Sequence, residues 1–277
     1  LSFRTLYGIY NKSITADKYD TKWILIAFAT GIVSNLLYIF SFIKFENYLL
    51  VQKVAINAGF YLFLFALIFT ISQRMIPFFT SVKAQGYKIN KSKALMEKVF
   101  ALLALKVMML TFDAPALNLI ADVPLFVLFV KELIQWKLPF KTMPAVMWVL
   151  FVSVYWIPVG FLVSILESIA FIASSGTLVF EKSVIHVFAI GYFATILLGF
   201  GTRVVLGHSG RTPMADTLTT VIFIAVQAIV LLRVFTSYTI ALDLDYVFYI
   251  NLSAVLFISG LVIWSVKYLP ILFEGKK

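Results

Sequence analysis

Cysteine is absent from this 277-residue chain, which excludes a disulfide framework, thiolate metal sites, iron–sulfur clusters and cysteine nucleophiles. Histidine is limited to His186 and His208, so any metal must be held by these two, by methionine, by carboxylates or by backbone oxygen. Charge is also short. Only 13% of residues are charged, where a soluble domain carries about a quarter. That is too little to cover a water-facing surface, and it excludes both a cytosolic globular enzyme and a disordered chain. Glycine and proline, 13 and 8 residues, are too few for a low-complexity protein. No P-loop, Gly-x-Ser-x-Gly elbow, zinc-protease pattern or internal sequence repeat is present. The first twenty residues lack the unbroken apolar core of a signal peptide.

What fills the chain is apolar: 62% of residues, with a mean hydropathy of +0.99. Runs of spanning length lie near 23–43, 49–72, 95–112, 115–135, 143–166, 184–206, 214–236 and 246–269. They are continuous rather than alternating, which favours helices over a barrel. The expected fold is an all-α polytopic transmembrane bundle of about eight spanning helices. Residues 1–22 form a cytoplasmic segment, 23–269 the membrane domain and 270–277 a cytoplasmic tail. The chain starts at Leu1 and is expected to continue a longer protein, whose missing N-terminal helices, or a partner membrane subunit, would complete the assembly.

Net charge is +10, a value that raises nucleic acid as a partner. The placement of the cations points elsewhere. Alternate sides of the expected bundle carry 18 and 3 Lys and Arg residues, with Lys106 and Arg233 inside spans. This asymmetry places both termini in the cytoplasm and assigns the excess charge to topology and anionic lipid, with no nucleic acid. The apolar stretch 168–183 is expected to lie along the interface.

Ionisable groups inside spans are costly and are functional candidates. Lys106 lies six residues before the turn at Phe112, and Asp122 seven after Pro115, so both sit roughly 9–11 Å below one end of an antiparallel hairpin. They are expected to pair, either as a structural lock or as a proton or ion relay. His186 and His208 are 22 residues apart on one expected helix. On a straight helix they project within about 40° of each other but are roughly 33 Å apart, too far to share an ion. Gly191, Thr195 and Gly199 form a small-residue stripe for close helix packing. His208, Ser209, Gly210 and Arg211, with Arg203, cluster at the expected cytoplasmic end. They suit an anion, haem propionates, or a basic helix cap. Pro77 is expected to break the second helix beside Arg74, on the same face as His208 and Arg211. His186 is placed near Glu167 and away from cations.

Arg74-Met-Ile-Pro77-Phe78-Phe-Thr80 resembles the Arg-x-x-Pro-Phe-Phe-Thr segment of the NnrS family. The stretch from His186 through Gly191 to Arg203-Val-Val-Leu-Gly-His-Ser-Gly-Arg211 is similar to that family's long His-to-Gly-His-Thr-Gly-Arg signature, with Ser209 for Thr. The resemblance implies a multi-pass protein of the bacterial inner membrane, containing haem and copper and acting in the response to nitric oxide. It makes His186 and His208 the implied metal ligands, and Arg74, Arg203 and Arg211 implied cofactor contacts. Family members usually carry a further His-rich Trp-His-Ala-His-Glu-Met-like segment, which has no match here. Rival readings are an ion or solute transporter using Lys106, Asp122 and Arg233, or a non-catalytic subunit of a respiratory assembly.

Overall fold

The computed structural model describes residues 2–14, 17–112, 114–178, 180 and 182–274. Among them every regular element is helical: α1 Ser2–Lys12, α2 Tyr19–Phe40, α3 Tyr48–Lys83, α4 Leu95–Thr111, α5 Pro115–Trp136, α6 Ala145–Ala173, α7 Ser183–His208, α8 Thr217–Thr236 and α9 Tyr246–Glu274. Each of the eight expected spans falls on one of α2–α9. Six of these helices are long and apolar enough to cross a membrane. The other two are α4, with 17 residues, and α5, which carries Asp122, Lys131 and Glu132. The expected terminal segments are also partly helical. α1 lies within 1–22, and α9 runs through Pro270 to Glu274, while 275–277 lie outside the described residues.

The chain divides into two compact units. The first comprises residues 1–78 and 89–136, the second 79–88 and 137–277. In the first, α2 packs on α3, α3 on α4, and α4 on α5. In the second, α6 packs on α7, α7 on α8, and α8 on α9. The second helix of each set contains a π-helical stretch, Gly59–Phe65 in α3 and Val187–Ala194 in α7. An arginine follows each stretch after nine residues, Arg74 after Phe65 and Arg203 after Ala194. The helix order therefore repeats although the sequence does not.

Glycine sets the helix spacing at both stretches. A Cβ on Gly31 of α2 would lie 2.8 Å from the Phe63 ring, and one on Gly160 of α6 would lie 2.5 Å from Phe188. The small-residue stripe of α7 has the same use. Gly191 lies against Trp156, and Gly199 against Leu150 and Val149 of α6. A π stretch loosens the i→i−4 ladder, and threonines pair with carbonyls within each one. Thr30 Oγ1 donates to Leu62 O (2.9 Å) and Thr195 Oγ1 to Ile190 O (2.9 Å).

Pro77 does not break α3 as the sequence suggested; the helix continues to Lys83. Proline lacks an N–H, so the carbonyl four residues earlier, that of Gln73, loses its helical donor. Lys91 supplies a replacement, its Nζ 3.2 Å from Gln73 O, with a second hydrogen bond to Gln73 Oε1. The expected interfacial stretch 168–183 is in part a continuation of α6. The helix ends where Gly176, at φ +85°, lets its N–H reach Phe171 O (2.8 Å), a left-handed terminator.

Candidate functional site

In the first unit, α4 and α5 are adjacent antiparallel helices joined by a three-residue link, and their equal-depth charges meet. Lys106 Nζ lies 2.7 Å from both Asp122 carboxylate oxygens, and the two side chains are 2% and 0% exposed. Tyr61, in the π stretch of α3, presents its ring 6.0 Å from the ammonium.

Arg74 belongs to the same unit but to a different cluster. Its guanidinium donates to Asp20 Oδ2 (2.8 Å), and Gln73 Nε2 donates to Asp20 Oδ1. Lys91 joins through Gln73, and burial lowers its proton affinity against the opposing pull of Asp20 and Glu132. Glu132 is 1% exposed and accepts from Ser92 N (3.0 Å) and Trp136 Nε1 (2.9 Å). Asp20, Gln73 and Glu132 escaped the sequence reading. Glu132, a carboxylate near the end of an otherwise apolar run, was the available signal.

The remaining candidates lie in the second unit, on or just beyond α7. Gly207–Arg211 is a helix terminator: Gly210 stands at φ +76°, and Arg211 N donates to Leu206 O (3.0 Å). This motif therefore has a backbone cause, closing the carbonyls of the last helical turn. His208 and Arg211 are exposed, and Arg211 pairs with Glu274 at 3.5 Å. Arg203 is half-buried, with its guanidinium 3.9 Å from the Phe79 ring centroid and an N–H directed at Met147 Sδ (3.7 Å). Stacking on an aromatic face is a guanidinium property that lysine reproduces poorly. The three arginines thus have separate partners, Asp20, Phe79 and Glu274.

His186 sits at the other end of α7, half-buried, directly before the π stretch. The 100° step used to orient the two histidines does not hold across that stretch, because its bonds run i→i+5. The surroundings of His186 also differ from expectation. Glu167 accepts from Ser183 Oγ and from Tyr238 OH (2.9 Å). Burial and that carboxylate raise the Tyr238 pKa, so the phenol stays protonated and donates. The charged groups acting on His186 are Arg233, from the packed α8, and Lys182. His186 was expected to be free of cations, and helix packing brings Arg233 to it. Among the described residues, no group of three or more His, Asp or Glu side chains could hold a metal ion.

A neutral polar chain crosses the middle of this unit. Trp156 Nε1 donates to Gln227 Oε1 (2.7 Å), and Gln227 Nε2 donates to Thr195 Oγ1 (3.3 Å) and Phe223 O (3.1 Å). Thr195, read from sequence as a packing residue, is thus also a polar link. No curated protein and no solved structure matches this chain. A family model does: the one described as NnrS protein matches residues 3–276, nearly the full length, so the chain belongs to the NnrS family.

Proposed function

We propose that this protein is a haem-binding membrane protein of the bacterial inner membrane, acting in the response to nitric oxide and protection against nitrosative stress. Membership of the NnrS family over residues 3–276 is the observation that carries the reading. The residues of this chain fit haem better than copper. A copper ion wants several imidazole or thioether ligands converging on one point, and the two histidines stand at opposite ends of α7. Haem would be held by an imidazole, with cations for its propionates. His186 with Arg233 offers that pairing at one end of α7, and His208 with Arg203 and Arg211 at the other. His186 is the better ligand of the two, because it is half-buried whereas His208 is exposed. Haem would supply an iron centre that binds a small neutral gas. The apolar helices around it limit access by water and charged solutes.

Absorption spectroscopy of the purified protein tests this. A Soret band with pyridine-haemochrome confirmation is the expected result, and His186→Ala should remove or shift it. His208→Ala, at the other end of α7, should leave it in place. A colourless, metal-free protein would sink the reading. The reverse pattern, loss with His208→Ala alone, would move the ligand to the other end of α7. Orientation is tested separately. Because these 277 residues contain no cysteine, single cysteines in place of Lys88 and Ser175 report accessibility on a clean background. The charge asymmetry predicts labelling from opposite sides, with position 88 cytoplasmic.

A further inference from the structure

The Lys106–Asp122 pair is usually the kind of feature assigned to packing, and the second unit argues against that here. Its terminal hairpin, α8 with α9, packs in the same order as α4 with α5. Its ties are the hydroxyl pair Thr219–Tyr268, the Arg233–Ser253 hydrogen bond, and an ion pair near one end, Lys267–Asp216, whose carboxylate is 61% exposed. A helical hairpin of this protein therefore forms without a charge pair in its interior. Desolvating two ions offsets most of their attraction, so a buried pair is a poor choice for adhesion alone.

Other polar groups extend from the pair toward one end of the unit, where α4 stops and α5 starts. On α3, Lys53 and Asn57 lie one turn apart on one face, and Tyr61 follows in the π stretch. Lys53 Nζ reaches Thr111 O at the end of α4 (3.5 Å), and Tyr61 meets Lys106. On α5, Asn118 lies one turn before Asp122, on the same face. Its Oδ1 is buried with no hydrogen-bond donor among the described residues. An acceptor left in this state is costly and needs a reason. The π stretch that carries Tyr61 is a backbone irregularity of a kind frequent at functional sites.

We propose that the first unit contains a proton-loading site at Asp122, held by Lys106 and reached along Lys53, Asn57 and Tyr61 of α3 and Asn118 of α5. By the charge distribution this path opens on the outer side of the membrane. Loading is a single proton transfer: the Asp122 carboxylate accepts a proton and becomes a carboxylic acid beside the Lys106 ammonium. The site charge then rises from zero to +1, and release reverses the step. Asn118 Oδ1 is the acceptor positioned one turn along the path. Among the described residues, the titratable groups that α3 brings to this end of the hairpin are Tyr61, against the pair, and Lys53, against the end of α4. Glu97, Lys98, Lys131 and Glu132 lie toward the other ends of α4 and α5, about 12 Å or more along the axis.

Infrared difference spectroscopy of the purified protein in lipid tests the proposal, following the carboxylic-acid C=O stretch as pH is lowered in H2O and D2O. The wild type should develop a band that shifts in D2O and is lost in Asp122→Asn. Asp122→Glu keeps a carboxyl and should displace the band, so the assignment does not depend on the asparagine variant folding. Lys106→Met removes the ammonium beside the carboxyl and should displace the band. Asn118→Leu and Asn57→Leu should retain the band but slow its hydrogen–deuterium exchange. A wild-type spectrum with no titrating band that Asp122 substitution removes or moves would overturn the proposal, leaving a permanent ion pair. Exchange unaffected by both asparagine variants would overturn the path.

Discussion

The two units carry out one packing plan with different interior chemistry. Each stacks four long helices in the same order, with a π stretch in the second and an arginine nine residues beyond it. The first then buries a full ion pair, Lys106–Asp122, and a carboxylate, Glu132, that accepts an indole and a backbone N–H. Among the described residues, the second has no buried ion pair between its helices: Trp156, Gln227 and Thr195 form a neutral chain, Arg233 pairs with a serine hydroxyl, and Asp216 stands at an exposed helix start. The backbone plan does not dictate this difference. Packing needs small residues where helices approach, and both units supply them, whereas the placement of charge varies freely between them.

The sharpest break of the comparison is to remove one charge. Lys106→Met or Asp122→Ala alone should cost about 3–5 kcal/mol, because the remaining ion stays buried and unpaired. The double variant Lys106→Met/Asp122→Leu should recover most of that loss. Thermal unfolding in detergent, followed by circular dichroism, measures both, and singles no worse than the double would show that the pair is well hydrated. In the second unit, Gln227→Leu should cost less, about 1–3 kcal/mol, since it orphans a neutral indole donor and not an ion.

Glycine substitutions probe what the units share. Gly160→Ala puts a methyl 2.5 Å from the Phe188 ring, and Gly31→Ala puts one 2.8 Å from Phe63. Each should cost about 1–3 kcal/mol, with the larger effect at Gly160. Gly260 has nothing within 4 Å of an added Cβ. Gly260→Ala should be neutral or stabilising by up to about 1 kcal/mol through helix propensity. A destabilised Gly260→Ala would reveal a contact on that face of α9.

The smallest effect concerns the exposed pair of the second unit. Asp216 caps α8 by accepting from Thr219 N (3.0 Å) and Thr219 Oγ1 (2.7 Å), and Lys267 donates to its other oxygen. The Lys267 ammonium first, then the Thr219 hydrogen bonds, pull its carboxyl down to about 2. A folded-state value below the unfolded one stabilises at pH above about 4, and that contribution is lost as pH falls toward 2. Asp216→Asn keeps a capping oxygen and should flatten the acid limb of a stability–pH curve. Asp216→Ala should also lose the cap, about 0.5–2 kcal/mol. An unchanged acid limb in Asp216→Asn would show that Lys267 is not held against it in solution.

Much of this was legible along the chain. Hydropathy located the helices because a membrane span must satisfy its own backbone, so the signal is contiguous and local. The Lys106–Asp122 pairing followed from counting residues to a turn, since antiparallel neighbours at equal depth must meet. The Gly191–Thr195–Gly199 stripe was visible as a period of four. Less legible was the use of each cation. Arg74, Arg203 and Arg211 read as one basic cluster, but their partners Asp20, Phe79 and Glu274 are 54, 124 and 63 residues away in sequence. No local pattern encodes a choice among distant partners.

Composition and periodicity were enough to establish a polytopic helical membrane protein and to pair its buried charges, and two short motifs carried the resemblance to its family. Those properties follow from contiguous residues meeting a low-dielectric solvent. The continuity of α3 through Pro77, the two π stretches, and the approach of Arg233 to His186 arose from packing. Pro77 is tolerated because Lys91 reaches the carbonyl it frees, and the π carbonyls are paired by Thr30 and Thr195. Whether an irregular backbone survives depends on donors brought in by the fold, and a helix read alone does not contain them.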